Sequence, residues 1–510
     1  MTSGESDIAA AVAGAESFLP LDAKLGREPR NDFGNARRLI ARHGADLMYV
    51  DKIGWHAWLG THWSHEDGAA VTVKRAHEVA RAIRAEAAAL DAEGVFRNTK
   101  GEPIETVEDF SDRIAAHRKW ASTSGNMGRT SAMIEAAQPY LRVPVDALDR
   151  DRLRLTVANG TLIFDRAAAT VVLAPHDRDH RITRCAPVTF DPKATAPRWT
   201  AFLETVQPVE PIRRFLQVYL GYCLTGLTDE QKVLCWQGQG ANGKGTTIDA
   251  LSHVLGPYLA TIDFASLLHD DRRSGSQATP DIARLPGARI VVAAEPEQGS
   301  RLSEARIKAL SGQDTITARH LNESFFEFSP QFKLVLSFNN KPSIRGTDEG
   351  TWRRIKLVPW PVIVPEEERD RLLRDKLRAE ASGILNWLIE GLIEYLREGL
   401  IVPGEVDLAS DEYRSESNPV AQWVESQCRR APNARASAKR LHDAYCAWCK
   451  ENALEPVHPT SFGKALAGLG FVKEKAGTIY WKGIEAPDLP APADGPPGDE
   501  PPPRERGPED

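Results

Sequence analysis

Apolar and polar positions change period several times along the 510-residue chain. Val233 to Trp236 is a continuous apolar run that predicts a buried strand, and Thr247 to Leu255 carries apolar residues at helical spacing. Ile290 to Ala294 predicts a second strand, ending at the carboxylate of Glu295. Phe332 to Phe338 predicts a third, ending at Asn339, and another apolar strand starts at Ile355. Strands alternating with helices over residues 196 to about 370 predict an α/β region. Upstream, Ala76 to Leu90 is rich in Ala, Arg and Glu and reads as a surface helix. Leu153 to Asp165 reads as a hairpin turning at Asn159-Gly160. Downstream, Arg369 to Glu398 is helical and Pro403-Gly404 marks a boundary. Residues 410–484 read as a small helical domain closed by a β wing, Val472 to Lys482, with Ala476-Gly477 at its tip.

The division that follows has five parts. Residues 1–30 are Ala-, Gly- and Glu-rich and predict disorder; 31–195 form an α+β N-terminal region; 196–400 form the α/β domain. Residues 410–484 form the C-terminal domain, and 485–510 form a Pro-, Gly- and acid-rich tail that predicts disorder. Composition adds exclusions. Charged residues at 26% and hydrophobic residues at 42% are ordinary for a globular protein. A net charge of −7 gives no whole-chain signature of nucleic-acid binding, so a DNA site must be a local basic patch. Six cysteines in a chain this long are no disulfide scaffold, and there is neither a signal peptide nor a long apolar span. The expectation is a cytoplasmic protein with no membrane partner.

The chemistry concentrates in Gly238-Gln239-Gly240-Ala241-Asn242-Gly243-Lys244-Gly245-Thr246, set between a predicted strand and a predicted helix. That context makes it a phosphate-binding loop. Glycines let backbone N–H groups turn in around phosphates, the helix N-terminus adds its dipole, and Lys244 sets a point charge at the β- and γ-phosphates of ATP. The residue after such a lysine is normally Ser or Thr and ligates Mg²⁺. Here it is Gly245, so Thr246 one position later, or water, takes that place. Glu295, at the end of its strand, is positioned to orient water or metal, with Glu297 as a second acid. Asn339 at a strand end suits a γ-phosphate sensor. Lys308 to Arg319, with His320-Leu321, a turn at Asn322-Glu323-Ser324 and Phe325-Phe326, reads as a β-hairpin with basic groups on its first arm. Arg353 and Arg354 precede the last strand, where an arginine can reach a neighbouring subunit's ATP.

Taken in order, these segments resemble the superfamily 3 helicases, the AAA+ type of viral and plasmid replication proteins. The chain is most similar to the phage and plasmid primase-helicase family, related to the poxvirus replication NTPase. Gly238 to Thr246, Glu295, Lys308 to Arg319, Asn339 to Pro342, and Trp352 to Ile355 followed by Val358-Pro359-Trp360 carry the resemblance. Leu220-Gly221-Tyr222, Asn35 to Leu39, Gly60 to Trp63, Val157 to Leu162, and Ala444 to Trp448 through Phe462 to Leu466 extend it over about residues 31 to 482. The series is specific, while each motif alone is weak. The resemblance implies an AAA+ P-loop ATPase core with an α+β N-terminal region and a C-terminal winged-helix-like DNA-binding domain, assembled as a ring, usually hexameric. It implies that Lys244 and Thr246 hold phosphate and Mg²⁺, Glu295 activates water, Asn339 senses the γ-phosphate, and Arg354 rather than Arg353 is the finger. The hairpin from Thr315 to Phe328 would enter the channel, where Lys308, Arg319 or His320 grip DNA phosphates.

The expected activity is an ATP-dependent DNA helicase acting on single-stranded and forked DNA in phage or plasmid replication. Asp46 and Asp51 flank an apolar run without forming a convincing two-metal acidic pair, so primer synthesis is assigned to a separate primase or replication initiator. Two alternatives stand beside it. One is a P-loop NTPase that does not unwind; the other is a DNA-binding initiator or adaptor with a regulatory ATP site. His442, Cys446 and Cys449, with Cys428 and His458 near, are better read as core than as a zinc site. His176 to His180 reads as a solvated loop, and Trp55, Trp58 and Trp63 read as a small β core.

Overall fold

The computed structural model describes residues 20–98, 100–269, 279–297, 299–319, 324–344, 348–452 and 454–487. These fall into two compact units. One is built from residues up to Pro342 together with Arg353–Ser410, the other from Ser343–Trp352 and the chain from Asp411 onward. The boundary expected near residue 195 is therefore not a division between units.

The first unit centres on a five-stranded parallel sheet, numbered here in chain order: β1 (Val233–Gln237), β2 (Leu259–Asp263), β3 (Ile290–Ala294), β4 (Lys333–Phe338) and β5 (Ile355–Pro359). Its spatial order is β5-β1-β4-β3-β2. Each of β1, β3 and β4 is a short apolar run, as strands covered on both faces must be. Helix α1 (Lys244–Leu255) follows β1 directly. Helices Glu210–Tyr222 and Ala381–Glu398 cross at close range on this core. Gly221 and Gly391 permit the approach: a Cβ on Gly221 would lie 2.2 Å from Leu392 N, and one on Gly391 would lie 2.1 Å from Gln217 O. The helical stretch expected from Arg369 begins only at Leu373 and breaks into Leu373–Arg378 and Ala381–Glu398.

The N-terminal part of this unit departs from expectation at three points. Residues 20–30 are ordered: helix Leu21–Leu25 buries Leu25, while the disorder expected for residues 1–19 and 488–510 lies outside the described residues. The surface helix expected over Ala76 to Leu90 is the middle of a 26-residue helix, Gly68–Glu93, whose Ala76, Val79, Ala80, Ile83, Ala87 and Leu90 form one buried stripe. Alanine makes that stripe easy to miss, because it is core without looking hydrophobic. The hairpin expected at 153–165 turns one residue earlier, with Val157 opposite Gly160, and gains a third strand, Thr170–Ala174. Asn159 is there to clamp the Phe190 backbone through two bonds of 2.9 Å, and Gly160 because a Cβ would meet Ala174 O at 2.5 Å.

Trp55 and Trp63 are buried in small sheet cores and Trp58 packs on Trp63 at 5.8 Å, as expected of a β core. In the stripe of Gly68–Glu93 sits one carboxylate, Glu86, whose oxygens accept from Arg38 Nε at 2.7 Å and Arg42 Nη2 at 3.0 Å, with His117 Nε2 at 3.3 Å. Burial alone pushes the Glu86 carboxyl up, but His117, Arg38 and Arg42 reverse this and hold it below its usual range.

In the second unit, helix Pro419–Gln427, strand Arg429–Ser437, helices Ala438–Glu451 and Pro459–Gly468, and a hairpin of strands Val472–Ala476 and Thr478–Glu485 follow in order. The hairpin turns at Gly477, φ +72°, as the Ala476-Gly477 tip predicts. Strand Arg429–Ser437 pairs with the second arm, Thr478–Glu485, which becomes the centre of an antiparallel three-stranded sheet. Trp423, Tyr445, Phe462, Leu466 and Trp481 form its core. Cys449 is buried there, His442 stands edge-on to Phe462 at 5.2 Å, and its Nε2 bonds Val457 O at 2.9 Å. These positions are core, as the sequence suggests.

Candidate nucleotide site

The phosphate loop runs from the carboxyl end of β1 to the first turn of α1, so its backbone is shaped by both. Gly240, Ala241 and Gly243 take φ of +44°, +49° and +84°. A turn that mixes left-handed residues with Asn242 in this way is of the kind that directs N–H groups toward a common point, as in an anion nest. The loop is wedged tightly. A Cβ on Gly238 would lie 2.3 Å from Trp360 O beyond β5, and one on Gly243 would lie 2.7 Å from Val206 Cγ1. Gly245 meets nothing within 4 Å, so the first turn of α1 is open on that side.

Lys244 is 5% exposed. Its Nζ donates to Gly238 O at 2.5 Å and to Asn339 Oδ1 at 3.3 Å. Burial pulls its ammonium below the usual lysine range, and the field of Glu295 partly opposes this. Asn339 projects from the end of β4 and accepts a weak 3.4 Å bond from Gly240 N, so it ties the loop to the neighbouring strand. The strand order places β4 between β1 and β3, which is why Asn339 stands between the loop and Glu295. Glu295, just past β3, is exposed with φ +59°, and its N donates to Ser337 O at 3.0 Å. A left-handed non-glycine residue costs about 1–2 kcal/mol, and such strain is concentrated at functional sites. Asn242 is 3% exposed and its Nδ2 has no partner among the described residues.

Beside the loop opens a cavity of about 700 Å³. Ala241, Gly243, Gly245 and Thr246 form one wall; Phe202, Val206, Val364 and Leu373 form an apolar wall; Arg198, Arg369, Arg371, Arg374 and Lys376 bring cations to the rim. A volume of this size suits a nucleotide-sized ligand. Sequence reasoning missed the whole far side. No local pattern marks Phe202 or residues 364–376, because the walls come from segments far apart in the chain.

The residues fit Mg²⁺ and nucleotide on one further observation. Thr247 Oγ1 donates to Gly243 O at 3.0 Å and is spent on the helix. Thr246 faces the cavity, and its hydroxyl makes no bond among the described residues. Among those residues no group of three His, Cys, Asp or Glu side chains forms a metal site of its own.

Other predicted residues lie elsewhere. Arg353 and Arg354 immediately precede β5, so they stand at the amino-terminal edge of the sheet, opposite the phosphate loop. Arg354 is 9% exposed and donates to Gln231 Oε1 at 2.9 Å; Arg353 is exposed and donates to the same oxygen at 2.8 Å. The expected hairpin is present, with Ile316 opposite Phe328 and Ala318 opposite Phe326. Arg319 lies at its turn end, just past Ala318, with its guanidinium 4.6 Å from the Phe325 ring. Lys308 is not on the arm but on the preceding helix, Glu304–Ser311. His320 and the tip Leu321-Asn322-Glu323 lie outside the described residues. Asp46 and Asp51 are held by Arg178 at 2.6 Å and by the two-bond grip of Arg142 at 2.5 and 2.6 Å.

A glycine-rich loop at the carboxyl edge of a parallel sheet, with a carboxylate and an amide facing its lysine, is a candidate nucleotide site of the P-loop kind. The comparisons narrow the class. Residues 36–208 match the family described as D5 N terminal like, and residues 236–354 match a family of unknown function, DUF5906. A protein of Acanthamoeba polyphaga mimivirus with a provisional helicase name, L207/L206, is 30% identical over 270 residues, 49% of this chain and 28% of that one. A Frog virus 3 protein with a provisional helicase name, 022R, is 27% identical over 59% of this chain and 32% of its own. An African swine fever virus protein with a provisional primase name, C962R, is 27% identical over 42% of this chain and 22% of its own. The C-terminal region of NrS-1 aligns over 65% of this chain and 96% of that one at 13% identity, with a TM-score of 0.35. The chain is thus similar in part to replication-type proteins of large DNA viruses that carry provisional helicase or primase names, and it spans about a third or less of the length of these viral relatives.

Proposed function

We propose that the chain is an ATP-dependent DNA helicase of replication, its motor being the first unit and its ATP site the loop Gly238–Thr246. The observation that carries this reading is the buried Lys244, bonded to Asn339 and opposed by a left-handed Glu295 at the edge of a parallel sheet. In this reading the nucleoside enters the cavity beside Phe202 and the phosphates lie over the nest. Lys244 and Thr246 hold the β- and γ-phosphates and Mg²⁺, which when bound neutralises charge on the phosphate oxygens. Glu295 accepts the proton of the attacking water, and Asn339 reads the γ-phosphate and passes its presence to the loop. A sheet that sets Asn339 between the loop and Glu295 suits an AAA+ core. The helix–strand–helix–helix–hairpin order of the second unit suits a winged-helix DNA-binding domain.

A hexameric ring would bring an arginine of one copy to the ATP of the next. The exposed Arg353 is better placed for that than the buried Arg354, a revision of the sequence-based choice. Arg319 sits at the turn end of the hairpin that would meet single-stranded or forked DNA, and Lys308 on the helix that leads into it. The arginine pairing of Asp46 and Asp51 favours primer synthesis by another protein. Among the described residues no helix is long and apolar enough to cross a membrane.

Steady-state ATP hydrolysis with and without single-stranded DNA tests the reading, on wild type and on Glu295→Gln. DNA-stimulated hydrolysis that falls about 10²–10⁴-fold in the variant is expected of a general base, with fork unwinding lost in parallel. Hydrolysis indifferent to DNA would return the protein to the non-unwinding NTPases. ATP binding without hydrolysis would make it a switch-type adaptor.

A further inference from the structure

We propose that the second unit grips the phosphate backbone of DNA with the outer face of its three-stranded sheet, through Arg435 and Lys482, and not with the helix Pro459–Gly468 that precedes the hairpin. This rests on the reading of that unit as DNA-binding and assigns the surface that does it.

The chain as a whole is acidic, at −7, yet between Arg429 and Lys482 ten lysines and arginines face four carboxylates. That is the local basic patch that an acidic DNA-binding chain must carry. The cations are unevenly placed. Helix Pro459–Gly468 buries Phe462, Ala465 and Leu466 and carries a single cation, Lys464. The sheet carries Arg429, Arg430 and Arg435 on one edge strand, Lys473 and Lys475 on the other, and Lys482 between them, all exposed.

Register then selects one face. Arg435 lies opposite Lys482, and Lys482 opposite Val472, so these side chains share a row across all three strands. The next row is Ala436, Trp481 and Lys473; Trp481 is 3% exposed and points into the core. Side chains alternate between faces along a strand, so the Arg435–Lys482 row points outward. Aromatic rings back the guanidinium groups: Arg435 stands 5.2 Å from the Tyr480 ring, and Arg430 stands 4.8 Å from Phe471 while bonding Leu469 O at 3.3 Å. A ring beneath a guanidinium fixes its direction and leaves N–H edges free for phosphate oxygens. Lys482 also meets Glu474 at 3.1 Å, a pair that a phosphate can displace. Tyr480 is half-buried under Arg435, so the face offers charge and not a stacking platform. Its recognition is of backbone and is sequence-tolerant.

The test is the salt dependence of binding by the full chain, without ATP, to fluorescein-labelled duplex and single-stranded oligonucleotides, read by anisotropy. Arg435→Gln/Lys482→Gln is expected to reduce the slope of log K against log salt by about 2, one for each lost phosphate contact. Arg435→Lys/Lys482→Arg is expected to restore it, and Lys464→Gln to leave it unchanged. Both sheet positions are exposed, so the melting temperature should stay at the wild-type value. A slope that falls in Lys464→Gln and not in the sheet variant overturns the sheet assignment while the unit keeps its DNA reading. A slope unchanged in both overturns the sheet assignment and the DNA reading of the unit together.

Discussion

Arg38 and Lys244 are both buried cations, and they differ in what surrounds them. Arg38, fully buried, donates to Glu86, to the carbonyls of Leu25 and Glu28, and to Pro29 O. Its charge is met by a carboxylate and its remaining N–H groups by backbone. Lys244 has one carbonyl and one amide oxygen, and its nearest charge, Glu295, is exposed at the end of another strand. The loop around it has left-handed residues at Gly240, Ala241 and Gly243, and Asn242 Nδ2 has no partner among the described residues. A saturated buried charge is structure; an under-satisfied one within a glycine-rich loop is a candidate for holding a ligand.

The comparison breaks most visibly at Glu86. Glu86→Gln removes the charge that Arg38, Arg42 and His117 share inside the protein, and breaking such a buried pair costs about 3–5 kcal/mol. Urea denaturation should show that loss in ΔG with hydrolysis per folded molecule unchanged. Lys244→Ala should do the reverse. Removing a group that helps hold transition-state charge lowers kcat by about 10²–10³-fold, while the melting temperature without nucleotide stays level or rises, because a desolvated ammonium has gone. A Lys244→Ala protein that melts well below wild type would place Lys244 with Arg38 as structure.

Lys333 lies between the two cases. It is fully buried on β4, donates to Thr225 O at 2.5 Å, and stands 4.4 Å from the Tyr222 ring. Among the described residues no carboxylate touches it, and burial pushes its pKa down to about 7. The folded state thus binds fewer protons than the unfolded state between about pH 7 and the usual lysine value. Stability therefore rises with pH across that window, by at most about 1.4 kcal/mol per pH unit. Chemical denaturation at pH 7, 8 and 9 should show this slope, and Lys333→Met should flatten it and be the more stable protein at pH 7. An unchanged slope in the variant would mean that Lys333 stays charged in the folded protein.

What the sequence made legible was local. The strand before the phosphate loop, the helix after it, and the carboxylate and amide at two strand ends are each contained in a few consecutive residues. The contacts that give them meaning are not. Asn339 reaches Lys244 only because β4 inserts beside β1, an order that no periodicity encodes. Glu86 looked like one more surface charge on an Ala-rich helix, since its partners at Arg38 and His117 come from other helices. The cavity rim at Arg369 to Lys376 read as the start of a helix; the chain there is irregular up to Leu372. Ser343–Trp352 read as part of the ATPase, yet within the second unit Trp352 packs edge-on to Tyr413 at 5.5 Å and Glu349 pairs with Arg414 at 2.7 Å.

The smallest difference is between neighbours. Thr246 and Thr247 carry the same hydroxyl, but Thr247 is buried with its Oγ1 on Gly243 O, and Thr246 is half-buried at the cavity wall. Substitution by valine keeps the shape and removes only the hydroxyl. Thr247→Val should cost about 0.5–1.5 kcal/mol, the net worth of an ordinary hydrogen bond, and leave the Mg²⁺ dependence of hydrolysis alone. Thr246→Val should leave the melting temperature in place and shift the Mg²⁺ half-saturation of hydrolysis upward. If Thr247→Val shifts the Mg²⁺ curve and Thr246→Val does not, the hydroxyl bonded to Gly243 is released on nucleotide binding. The loop would then rearrange at the first turn of α1, and satisfaction in the free protein would no longer separate a structural group from one kept for a ligand.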